Sequence, residues 1–77
     1  MIPLSMAIRG EKVRIIRISG GRGFVRRLTE MGLYPGVEIE IISDGHVGLF
    51  IIGLGGLRFG IGFGMAKRIF VEPFGPK

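Results

Sequence analysis

The sequence predicts a small, mainly β domain of about five short strands bent into a barrel, with one short helix inserted after the first strand. Three observations lead there. Fifteen glycines and four prolines in 77 residues cut the chain into apolar runs of four to seven residues, a length that suits strands better than helices. Those runs are rich in Val, Ile and Phe, whose side chains pack well on a pleated surface. Only one segment keeps a helical period instead. A chain of this size hides only about 60% of its unfolded surface on folding and supports a single core, so one domain over residues 1–77 is expected.

Taken in order, residues 12–18 form the first candidate strand, so dense in Ile and Val that both faces are expected to meet apolar neighbours, with Arg14 and Arg17 marking where solvent begins. The helix follows. Phe24, Leu28 and Met31 fall at i, i+4 and i+7 on one face, while Arg22, Arg26, Thr29 and Glu30 lie away from it. If Met31 is its C-cap, Gly32 takes the left-handed conformation beyond it, and Leu33 can clasp Leu28 in a Schellman stop. Tyr34-Pro35-Gly36 then reads as a type II turn, with Pro at i+1 and Gly at i+2.

Residues 37–41 alternate strictly, placing Val37, Ile39 and Ile41 on one face and Glu38 and Glu40 on the other. Asp44-Gly45 marks a hairpin turn before a strand at 49–52, and Gly55-Gly56 another before a strand at 57–61, after which Gly62 and Gly64 interrupt the pattern. A last strand covers 68–72 and stops at Pro73, which cannot donate to a ladder; residues 73–77 are expected to be a loose tail. Closure into a barrel would leave neither sheet edge bare.

The stretch 47–66 is long enough to cross a bilayer, but it carries Arg58 near its middle and seven glycines, each weakening a helix by about 1 kcal/mol. No membrane span is expected. The first residues lack the charge and length of a signal peptide, which favours a cytoplasmic location.

Catalytic chemistry is poorly provided for. With no cysteine there are no thiol nucleophiles, thiolate metal sites or disulfides. His46 is the only histidine and falls in a predicted turn; with Asp44 it supplies two metal ligands at most, too few for a closed site without a second chain. Gly53-Leu54-Gly55 and Gly60-Ile61-Gly62 have Arg58 and Met65 where a third glycine of a phosphate-binding fingerprint belongs, so the glycines read as structural. No catalytic, cofactor-binding or metal-ligating residue and no cofactor are assigned.

Eleven Lys and Arg against six Asp and Glu give a net charge of +5, which suits acidic partners. Arg22, Arg26 and Arg27 form the one local concentration. They read either as a docking surface or as a solvated helix face on which Arg26 pairs with Glu30. Single-stranded nucleic acid asks for aromatics interleaved with the cations, and Tyr34 is the nearest such ring; Phe24 is expected in the core.

Arg26-Arg27-Leu28-Thr29-Glu30-Met31-Gly32-Leu33-Tyr34-Pro35-Gly36, followed by an alternating strand, resembles the core signature of the FeoA family, small cytosolic accessory proteins of bacterial and archaeal ferrous iron uptake. The matching elements are Arg27-Leu28, Gly32-Leu33 and Pro35-Gly36, with further agreement at Pro3-Leu4-Ser5, Gly10, Ala66, Ile69 and Val71. The resemblance implies an SH3-like barrel with a helical insertion and a non-enzymatic protein that binds the cytosolic part of the FeoB-type membrane transporter. Gly62-Phe63-Gly64-Met65 departs from the polar approach to the final Ala usual in that family, and exposure of Phe63 or Met65 would suggest contact with another chain, a homo-oligomer included. The competing reading is a small basic β-barrel that binds RNA in translation or the ribosome.

Overall fold

The computed structural model describes residues 1–45 and 48–74. Its elements are β1 (Ile2–Pro3), a 3-10 turn (Leu4–Met6), β2 (Lys12–Ile18), α1 (Arg22–Glu30), β3 (Glu38–Asp44), β4 (Leu49–Leu54), β5 (Leu57–Gly62), α2 (Phe63–Ala66) and β6 (Ile69–Pro73). The strands make one sheet in the order β1-β6-β2-β3-β4-β5, with every neighbouring pair antiparallel.

The expected mainly β plan with a helix after the first long strand is therefore present, in an SH3-like arrangement with two corrections. The sheet has six strands, because Ile2 and Pro3 pair with Val71 and Phe70. It also does not close: β1 and β5 are its two edges. β1 is only two residues long and includes Pro3, which has no N–H to offer, so it ends the sheet without bridging to β5. Bending comes instead from register shifts between Ile15 and Arg17 and between Ile41 and Ser43, where an unpaired residue coils the strand locally.

That bending wraps one face of the sheet around a single apolar cluster. In β3, Ile39 and Ile41 are buried while Glu38 and Glu40 are exposed, the alternation read from the sequence. In β2, Val13 and Ile15 are buried in the core, while Arg14 and Ile16 are half-buried and the outward Arg14 and Arg17 meet the Phe74 and Phe70 rings, so both faces have apolar neighbours and the arginines mark where solvent begins. Leu4, Phe50, Ile52, Ile61, Ala66, Ile69 and Val71 complete most of the cluster.

α1 and its exit follow the local code closely. Leu28 is fully buried, and Phe24 and Met31 pack half-buried against the core. At the stop, the Leu33 N–H donates to the Leu28 carbonyl at 2.8 Å and the Gly32 N–H to the Thr29 carbonyl at 2.9 Å, the two bonds of a Schellman motif. Gly32 has φ +93°. The Val37 N–H then reaches the Tyr34 carbonyl at 3.1 Å with Gly36 at φ +97°, as a type II turn requires. Val37 precedes β3, yet its carbonyl accepts from the Ile15 N–H at 2.8 Å, which fastens the turn to β2.

Residues 47–66, considered above as a membrane candidate, include the β4–β5 hairpin and α2, with Leu54 paired to Leu57 around Gly55-Gly56. No helix among the described residues is long and apolar enough to cross a membrane. α2 was not foreseen, since Gly62 and Gly64 masked its single turn. The tail also needs correction: Pro73 pairs with Val13, and the Phe74 N–H donates to the Lys12 carbonyl at 3.0 Å, so neither is loose. Residues 75–77 lie outside the described residues, as does His46.

Candidate docking surface

The basic residues singled out on α1 are all exposed. Arg26 Nε lies 3.6 Å from Glu30 Oε2, one helical turn away, with both side chains well exposed. Such a pair contributes little to stability. Arg22 and Arg27 have no carboxylate within ion-pair distance among the described residues. The motif residues Leu28, Gly32, Leu33, Pro35 and Gly36 build the helix stop and turn described above.

Tertiary pairing adds cations that were not singled out as site residues. Arg17 on β2 stands opposite Phe70 on β6, and its guanidinium carbon lies 4.9 Å from the ring centroid. Arg68, just before β6, places its guanidinium 5.4 Å from the Phe24 centroid. Ile69 and Val71 point into the core, so Arg68 and Phe70 fall on the outer face by strand alternation. The alternation was legible in the sequence. The cross-strand register and the approach of α1 were not, so Arg17 and Arg68 could not be joined to the helix.

A shallow groove of about 430 Å³ crosses the outer face farther along, lined by Lys12, Glu38, Glu40, Ile42, Gly53 and Arg58 among others. Arg14 Nη2 bonds Glu38 Oε2 at 3.0 Å beside it, and the mixture of signs gives the groove no single electrostatic preference. No cluster of three or more His, Asp or Glu side chains forms among the described residues. Nor, among those residues, does a hydroxyl hydrogen-bond to a carboxylate; the Thr29 hydroxyl donates to the Val25 carbonyl at 2.8 Å. At the α2 corner Phe63 is 51% exposed and stacks on Phe50, with centroids 6.3 Å apart. Met65 is half-buried against the core.

Fold and surface together define a small β domain with a cationic helix at its side. The family model described as FeoA domain matches residues 2–73, and the chain belongs to the FeoA family. A Methanocaldococcus jannaschii protein described as "Putative Fe(2+) transport protein A" is 38% identical over 72 residues, covering 94% of this chain and 87% of that protein. A crystal structure of an iron uptake regulatory protein, FeoA, superposes with a TM-score of 0.85 at 38% identity, covering 95% of this chain and 96% of that one. A FeoA-like protein from Clostridium acetobutylicum gives a TM-score of 0.84 at 26% identity over 99% of this chain and 90% of its own.

Proposed function

We propose that this chain is a non-enzymatic accessory protein of ferrous iron uptake that acts in the cytoplasm by binding the cytosolic part of a FeoB-type membrane transporter. The observation that carries this reading is the FeoA family match over residues 2–73, supported by the transport description of the M. jannaschii relative. The docking surface assigned to it is the exposed basic face of Arg22, Arg26 and Arg27, whose side chains are little used by the fold. Exposed charges of this kind speed association and select partners more than they stabilise the domain.

Calorimetric titration of the chain with the isolated cytosolic domain of the cognate transporter tests the reading. Binding that weakens in Arg22→Ala/Arg26→Ala, while the melting temperature is kept, is the expected result. The RNA reading predicts another pattern: submicromolar affinity for mixed-sequence single strands, falling steeply with salt as counterions are released. That behaviour, with no transporter binding, would replace the proposal.

A further inference from the structure

The cations of α1 are not isolated from those of the sheet. Phe24 links them: the Arg68 guanidinium lies over its ring, and Arg27 follows Phe24 by three residues, on the adjoining rung of the helix. From Arg68 the outer face of β6 leads to Phe70, and from Phe70 across the ladder to Arg17. Arg17 and Arg68 are exposed, and neither has a carboxylate within ion-pair distance among the described residues. The acidic side chains Glu38 and Glu40 lie on β3, by the groove, Glu72 on β6 stands opposite Arg14, and Glu30 on α1 pairs with Arg26.

Stacking has two consequences. A guanidinium resting on a ring keeps its attraction to the π face and surrenders some side-chain freedom before any partner arrives. Its N–H groups have no carboxylate partner among the described residues, and the planar guanidinium suits a carboxylate bidentately. The same stacking covers ring faces of Phe24 and Phe70 that unpaired bases would need. Preorganised forks beside occupied rings favour carboxylates over bases.

The geometry points to an acidic protein segment as the occupant of this face, its Asp or Glu side chains meeting Arg17 and Arg68 on the sheet and continuing towards Arg27 on α1. This deepens the proposed function, on which it rests for the identity of the partner, and adds two residues on the sheet to the docking surface.

The test compares the wild type, Arg17→Gln/Arg68→Gln, Arg17→Lys/Arg68→Lys, and Arg9→Gln/Arg58→Gln, which removes equal charge elsewhere. Each is titrated against a fluorescein-labelled oligoglutamate, a mixed-sequence single-stranded RNA and the transporter's cytosolic domain, with thermal melts to confirm folding. Oligoglutamate binding should fall about tenfold in Arg17→Gln/Arg68→Gln, less in the Lys pair, and little in the Arg9/Arg58 control. Equal losses in the two Gln pairs, no oligoglutamate binding by the wild type, or RNA bound more tightly than oligoglutamate would overturn the assignment. Oligoglutamate binding with the expected pattern but no binding of the transporter domain would instead remove the proposed partner and leave the acidic-segment site standing.

Discussion

The main-chain N–H of Leu33 donates to the carbonyl of Leu28 at 2.8 Å, and both side chains are fully buried. With the Gly32 N–H on the Thr29 carbonyl at 2.9 Å, this bond between the two leucines ends α1 and fixes the direction in which the chain leaves for β3. Gly32 between them makes this possible, since at φ +93° an L side chain is strained.

Gly32→Val should therefore destabilise the domain by roughly 1 to 2 kcal/mol or more, from backbone strain alone. A Cβ there would also lie 3.2 Å from Leu54 Cδ2, which must then give way. Thermal unfolding followed by circular dichroism checks this; an unchanged melting temperature would remove the helix stop as a structural requirement.

Leu4 and Leu57 separate residue type from position. Leu4 is fully buried in the 3-10 turn, whereas Leu57 is 62% exposed in β5. Leu4→Ala should cost about 2 to 5 kcal/mol, and Leu57→Ala about 0.5 kcal/mol or less. Denaturant titration of both variants measures the difference, and similar midpoints would contradict the placement of Leu4 in the core.

The Arg14–Glu38 pair has side-chain exposures of 42% and 45%. Water and salt screen it, so a double-mutant cycle with Arg14→Gln and Glu38→Gln should return a coupling of no more than about 1 kcal/mol, shrinking as salt rises. A larger, salt-independent coupling would mean that the pair is more enclosed than it is here.

Ferrous iron should not bind the isolated chain tightly, because no group of three metal-ligating side chains assembles among the described residues and His46 is the only histidine. Anaerobic calorimetry tests this. A stoichiometric, submicromolar site that survives His46→Ala would reveal a ligand set assembled from other residues.

Local sequence was informative wherever the determining contacts are themselves local. The stop at Leu28, Gly32 and Leu33, the turn at Pro35-Gly36 and the alternation of Glu38, Ile39, Glu40 and Ile41 each involve partners a few positions apart, with only the conformations that glycine, proline and a two-residue period allow. α2 escaped because Gly62 and Gly64 look like breakers in isolation, although its one turn is held by Ala66 in the core and by the Phe63 N–H on the Gly48 carbonyl at 3.2 Å. The candidate surface divides in the same way. Arg22, Arg26 and Arg27 could be grouped by helical spacing, whereas Arg17 and Arg68 could not.

The sequence by itself determined the strand-rich class, the single amphipathic helix with its stop, and the family signature around it, because each is written in spacing and in backbone preference. The tertiary structure alone decided that Ile2 pairs with Val71, that β1 and β5 stay apart as open edges, and that Arg17 and Arg68 come to rest on Phe70 and Phe24. Those outcomes depend on how bulged strands coil around one core and on which register buries Val13, Ile15, Ile69 and Val71 together. A register of that kind is chosen by the burial of the whole face at once, because a slip of one residue turns every side chain of a strand to the opposite side.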